Sequence, residues 1–102
     1  MSFNKTIVIG RLAEDPTLTD SGFARFDLLN STVKPGGIED VQRYRMVAPP
    51  KQAQVCMDYL HKGDLCCIEG SLLVKKDIEP WDVQIVAERI TFLSGLNKRS
   101  KK

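Results

Sequence analysis

Residues 61–70, His-Lys-Gly-Asp-Leu-Cys-Cys-Ile-Glu-Gly, constrain what this chain can fold into more than any other stretch. A helical run closes at Lys62 and Gly63, and an apolar strand follows without a linker and ends at Glu69 and Gly70. Gly63 suits the left-handed position past a helix C-terminus, and the basic pair before it complements the helix dipole. Three strand-like segments precede that helix and two follow it, so a single helix sits inside an otherwise β chain.

The strands read from their periodicity. Residues 4–12 carry Ile7, Val8 and Ile9, with Gly10 as a bulge or a point of close approach. Residues 13–20 contain the turn signal Asp15-Pro16, and Asp20-Ser21-Gly22 is a second turn. In residues 23–29, Ala24, Phe26 and Leu28 alternate with Phe23, Arg25, Asp27 and Leu29, the pattern of a half-buried strand. Lys34-Pro-Gly-Gly37 centres a flexible connection, and 41–48 alternates again, Tyr44, Met46 and Ala48 opposite Arg43, Arg45 and Val47. Pro49 and Pro50 stop that strand, and Pro50 can open the helix, whose Val55, Tyr59 and Leu60 recur at helical spacing over 52–60. Residues 65–75 form the fourth strand and 81–93 the fifth, long enough to bend round a barrel corner. The expected fold is all-β: a five-stranded OB-fold Greek-key barrel with one helix between strands three and four, an architecture that commonly binds single-stranded nucleic acid.

A chain of 102 residues holds one domain and one modest core, here assigned to residues 1–95, with 96–102 as a disordered basic tail. No apolar run approaches bilayer length, and the N-terminus has no signal-peptide core, so no membrane partner is expected. Three cysteines, two of them adjacent, do not form a disulfide framework, which favours the cytoplasm or an organellar matrix of similar redox character. The net charge of +2 is uneven: of 15 Lys and Arg, four stand at 98–102, leaving 11 against 13 acidic residues in the rest. Attraction to phosphate must then come from local patches or from the tail, which reads either as a solubilising end or as a nucleic-acid arm.

An ordered set of short motifs resembles one family. Asn4-Lys-Thr-Ile-Val-Ile-Gly-Arg-Leu12, Asp15-Pro16, Ser21-Gly22, Ala24-Arg-Phe-Asp-Leu28, Tyr59-Leu-His-Lys-Gly63, Ile68-Glu-Gly70 and Val86-Ala-Glu-Arg-Ile90 follow the pattern of bacterial-type single-stranded DNA-binding proteins. The resemblance covers nearly all of residues 3–95. It implies an OB-fold barrel, a homo-oligomer (a tetramer ahead of a dimer), and a role on unpaired DNA in replication, recombination and repair.

The departures from that pattern are informative. Such proteins stack bases on aromatic side chains, and stacking is indifferent to sequence because every base has a π-face. The ring expected in the third strand is replaced by Arg43, that after it by Pro49, and that ending the strand-four hairpin by Asp77, while 31–40 has no aromatic. The resemblance therefore implies a groove that relies on charge. Arg43 and Arg45 share one strand face, and a guanidinium plane both stacks on bases and binds phosphate. Lys75 and Lys76 at the hairpin, Lys51 after the prolines and Arg25 on the outward face of strand two add to them. Lys5 and Arg11 match basic positions of the first strand, and Trp81 is the remaining candidate stacking ring, with a barrel-end cap as its other reading. Phe23, Phe26, Tyr44 and Phe92 read as core or subunit-interface residues.

Catalysis and cofactors are not expected. Cys56, Cys66, Cys67 and His61 lack metal-site spacing, and adjacent strand cysteines point to opposite faces. Glu14 with Asp15 and Glu39 with Asp40 read as loop acids. The chain ends Asn97-Lys-Arg-Ser-Lys-Lys102, whereas the resemblance would lead one to expect an acidic, hydrophobic tip that recruits replication and repair proteins. Two functions stay open: a binder of single-stranded DNA without sequence preference, and a diverged assembly module of primosomal or RNA-processing type that works through protein contacts or binds single-stranded RNA.

Overall fold

A computed structural model describes residues 2–75 and 82–94. Its elements run β1 (Thr6–Leu12), β2 (Thr17–Leu18), β3 (Ala24–Lys34), β4 (Ile38–Ala48), α1 (Pro50–Tyr59), β5 (Leu65–Lys75) and β6 (Asp82–Phe92). Five long strands form a closed barrel in the order β1-β5-β6-β4-β3, and β1 returns to β3 to close it. The two-residue β2 is an addition to the expected five, flanking β3 where 13–20 reads as a plain loop. The seam between β6 and β4 is parallel, Met46 opposite Ile85 and Val47 opposite Val86, while the other pairings are antiparallel.

The core follows from the alternation. Val8 and Leu12 of β1, Ala24, Phe26 and Leu28 of β3, Met46 and Ala48 of β4, Cys66 and Ile68 of β5, and Ile85 and Ala87 of β6 are buried. Helix α1 closes one end with Ala53 and Cys56, and Leu60 just beyond it is 1 % exposed. Phe26 joins this core, and Phe92 packs against it with its ring 6.2 Å from that of Tyr59. Tyr44 does not: it stands at the outer end of its strand's inward row and is exposed.

Close backbone approach explains two glycines. A Cβ on Gly10 would come within 2.5 Å of the Leu29 carbonyl oxygen, beside the point where β1, still paired with β5, meets β3. Gly10 is thus a close-approach point, and the bulge lies instead at Glu69/Gly70 on β5. A Cβ on Gly70 would collide with the Val86 carbonyl group. Past the end of β1's ladder, the Asn4 side chain imitates a strand: its Nδ2 donates to the Leu72 carbonyl (2.8 Å) and its Oδ1 accepts from the Leu72 N–H (3.0 Å).

Three local expectations change. The helix starts with Pro50 at its first position, as the sequence suggests, but ends at Tyr59, and Leu60 is already extended. Gly63, at φ +88°, belongs to a separate turn, so His61 and Lys62 lie outside the last helical turn. In that turn the Asp64 carboxylate accepts the His61 N–H at 3.0 Å, the His61 carbonyl accepts the Asp64 N–H at 3.0 Å, and Gly63 donates to Leu12 at 2.9 Å. These bonds tie the turn to β1 and account for the early helix stop.

The segment expected to be a flexible connection is an ordered hairpin arm. The β3–β4 ladder runs unbroken from Ala24 opposite Ala48 to Lys34 opposite Ile38. Gly36 and Gly37, at φ +91° and +80°, supply a turn tight enough to continue both strands, and Gly37 donates to the Lys34 carbonyl. The arm leaves Val33, Ile38 and Val41 exposed.

Candidate nucleic-acid interface

The long β3–β4 ladder determines which charged side chains meet. Outward residues of β3 (Arg25, Asp27, Leu29) lie beside outward residues of β4 (Val47, Arg45, Arg43) in that order, each pair in register. Arg25, Arg43 and Arg45 therefore share one wall, and with Asp27, Glu14 and Asp15 they line a small open cleft. Three of the nine sequence-derived candidates come together in this way.

Acidic groups interleave them. The Nε of Arg43 donates to Oδ2 of Asp27 at 2.6 Å, and its Nη2 lies 3.5 Å from Oε1 of Glu14. The Nε of Arg45 stands 3.9 Å from the other Asp27 oxygen. The hydrogen bond from Arg43 to Asp27, and then the charge of that carboxylate, raise the Arg43 guanidinium above its ordinary pKa. Arg43 is fully ionised in either case, so the pairing matters for what else it can hold. Arg25 makes no ion pair among the described residues.

On the same outer surface, beyond Leu29, a groove of about 390 Å³ runs along the junction of β1 and β3, lined by Ile9, Gly10, Arg11, Leu29, Asn30, Ser31, Val41 and Leu65. Arg11 donates to the Gly63 carbonyl at 3.0 Å. In the other direction, past Arg25 and Arg45, Phe23, Val47, Leu73, Gln84 and Val86 line an apolar groove of about 310 Å³ with Thr19 and Ser21. Phe23 is half-buried there, outside the barrel core.

The remaining candidates disperse. Lys5 sits on the β1–β5–β6 wall, its Nζ 3.5 Å from Glu69, which also faces Arg89 at 3.9 Å. Lys51 is exposed on the first turn of α1. Lys75 pairs through its backbone with Asp82 at the end of β5. The Lys75 side chain, Lys76, Trp81, the Asp77 position and the tail 96–102 lie outside the described residues. Sequence reasoning overlooked Asp27 and Glu14 as partners of the arginines. Alternation already placed Asp27 outward, but its contact with Arg43 needs the β3–β4 register, which a flexible 31–40 would not have transmitted.

The cysteines are packing groups. Cys66 is fully buried and Cys67 half-exposed, as neighbours on one strand must be. Burial pushes the Cys66 thiol up to about 12 and the Cys56 thiol up to about 11. Both stay protonated and unreactive at neutral pH, because thiolate is the nucleophile. With a thiol reagent at pH 8, the native protein should label at Cys67 alone, and Cys56 and Cys66 should react only after denaturation. Rapid modification of all three in the native state would contradict the burial. Among the described residues no group of three or more His, Cys, Asp or Glu is placed to hold a metal ion.

Residues 3–93 match the model of the single-strand binding protein family. The chain belongs to that family. Its members are binding proteins rather than enzymes. Curated relatives include the single-stranded DNA-binding protein of Malacoplasma penetrans, 29% identical over 104 residues, which cover 95% of this chain and 55% of that protein. Single-stranded DNA-binding protein 1 of Staphylococcus aureus is 33% identical over 105 residues, 92% of this chain and 67% of the relative. The chain thus spans between about half and two thirds of the length of these relatives. Among solved structures, the Plasmodium falciparum SSB in complex with ssDNA superposes with a TM-score of 0.77 at 21% identity, covering 92% of this chain and 97% of that one. That likeness establishes the OB-fold barrel.

Proposed function

We propose that this chain binds single-stranded DNA without sequence preference, in replication, recombination or repair, and that it performs no catalysis. The reading is carried by one observation: the barrel of a single-strand binding family member presents Arg25, Arg43 and Arg45 on one outer wall, between the apolar groove at Phe23 and the groove at Arg11. Guanidinium groups hold phosphates bidentately and stack on bases, while the Phe23 ring with Val47 and Val86 offers apolar surface for bases. We assign Lys5, Arg11, Lys51, Lys75, Lys76 and Trp81 to the same strand-binding role. DNA and RNA are not distinguished by such contacts, because neither stacking nor phosphate binding reads the 2′-hydroxyl.

We also assign the working form to a homo-oligomer, a tetramer ahead of a dimer. Strand β1 pairs with β5 over Thr6–Arg11, but meets β3 only at Arg11 and Leu12, which leaves an open edge beside the exposed Ile7 and Ile9. Symmetric pairing would cover such an edge, and several grooves on one strand raise avidity. A cytoplasmic, nucleoid-associated location, or an organellar matrix, suits the three free thiols; no helix among the described residues is long and apolar enough to cross a membrane.

Fluorescence-anisotropy titration with labelled poly-dT and poly-U at low and moderate salt tests the reading. Tight low-salt binding is expected, with log K falling by about 0.7 per phosphate contacted for each log unit of salt. One feature favours the rival assembly-module reading: the carboxylates of Asp27 and Glu14 already engage Arg43. Absence of binding at low salt would decide for that reading.

A further inference from the structure

The cleft that gathers Arg25, Arg43 and Arg45 holds as many acids as arginines, with Glu14, Asp15 and Asp27 on its lining. Asp27 is the central one. It stands directly opposite Arg45 in the ladder, two residues along β4 from Arg43, and its two oxygens are divided between these guanidinium groups. Its side chain is only 22% exposed, whereas those of Arg43 and Arg45 are 53% and 41% exposed. The cations thus reach toward solvent from around a carboxylate seated at the base of the cleft.

The 2.6 Å contact uses Nε, one of the donors on the edges by which a guanidinium grips an oxyanion, and Glu14 lies against Nη2. A phosphate arriving at Arg43 would have to displace the carboxylate or lie beside its negative charge. This contact is shorter than the ion pairs at Lys5, Lys34 and Arg89, which span 3.5, 3.6 and 3.9 Å.

We propose that Asp27 is a built-in competitor for the strand: its carboxylate occupies the donors of Arg43 that a backbone phosphate would use, so this wall binds nucleic acid by exchanging an internal anion for an external one. The inference rests on the single-strand binding reading above and names the residue that sets its strength. Exchange has a definite signature. An arginine already neutralised from within takes up a phosphate while freeing a carboxylate, so few of the strand's condensed counterions are released and its engagement adds little to the salt dependence of binding. Freeing it adds a full contact to both the affinity and the salt slope.

The test compares the full chain with Asp27→Asn and, as an equal charge change elsewhere, Asp58→Asn on α1, where among the described residues the carboxylate accepts from Gln54 alone. A labelled oligo-dT is titrated over a range of salt, with thermal melts to establish folding. Asp27→Thr, a residue at home in strands, serves as a second removal of the carboxylate. Asp27→Asn and Asp27→Thr are expected to bind about tenfold more tightly at low salt, the size of one hydrogen bond between charged groups. Their log–log salt slopes should steepen by about 0.7, one additional phosphate contact on a single strand. Asp58→Asn should show neither change.

Equal or weaker binding by the folded Asp27 variants would overturn the proposal and make Asp27 a positioner of the arginines. An equal gain from Asp58→Asn would overturn it in favour of net charge. If neither the native chain nor any variant binds oligo-dT at low salt, the single-strand reading itself fails; native binding without a gain in the Asp27 variants sinks only the exchange.

Discussion

Replacing Arg43 and Arg45 together by glutamate should lower affinity for oligo-dT at low salt by about 100-fold or more, the loss of two charged contacts together with new repulsion. The effect exceeds the removal of two cations because of what surrounds them. Glu14, Asp15 and Asp27 line the same cleft, so the reversal would place five acids on the wall where three arginines and three acids now balance. The barrel should persist, since both side chains are exposed and the core beneath them is made by Phe26, Leu28, Met46 and Ile85. The circular-dichroism spectrum should keep its β character, with a modestly lower melting temperature from like charges across the ladder. Anisotropy titration of the folded variant decides the matter. Affinity equal to that of the native chain would move the strand to another wall, the β1–β5–β6 surface of Lys5 and Arg89 being the next candidate.

The largest expected effect on stability comes from a single methyl group. Gly70→Ala should destabilise the fold by about 3 kcal/mol or more, at the upper end of what overpacking costs. For a domain of this size that corresponds to a fall in melting temperature of about 10 °C or more. Gly70 is buried at the bulge of β5, and the atoms its Cβ would meet are all backbone: the Val86 carbonyl group and the Cα of Ala87. No flexible side chain can move aside. The strands must part, which weakens the pairings of Gly70 with Ala87 and Ser71 with Val86, next to the parallel seam where β6 meets β4 at Ile85 and Val86. Thermal and urea melts of the variant measure the loss, and a midpoint within about 2 °C of the native value would show that the bulge can relax.

These two substitutions sit at opposite ends of what could be read beforehand. Gly70 was visible as the end of an apolar strand, but nothing local to Glu69-Gly70 announces a bulge or the carbonyl above it. Gly10 was legible as either a bulge or a close-approach point, because a glycine directly after Ile7-Val8-Ile9 interrupts a strand that has every other reason to continue; the Leu29 carbonyl above it decides for close approach. The helix end was misplaced for a related reason. Gly63 does adopt a left-handed conformation, but the turn that needs it is built by Asp64 and by the Leu12 carbonyl 51 positions earlier in the chain. The arm was missed because Lys34-Pro-Gly-Gly37 suits a loop as well as a tight turn. Only cross-strand pairs such as Thr32 with Asp40 and Val33 with Glu39 choose between them.

The sequence alone determined the order of elements, the inward rows of the barrel strands and membership of the family, because periods of 2 and 3.6 and short motifs are local properties of a chain. It also placed Arg25, Arg43 and Arg45 outward. Only the tertiary structure decided that Asp27 lies between two of these arginines and engages Arg43 directly. That contact joins residues 16 positions apart, and its geometry depends on the register of two strands locked by a turn at Gly36 and Gly37. A shift of one residue would have turned every β4 arginine to the other face of the sheet, so the electrostatic character of the wall is a property of the ladder rather than of any segment within it.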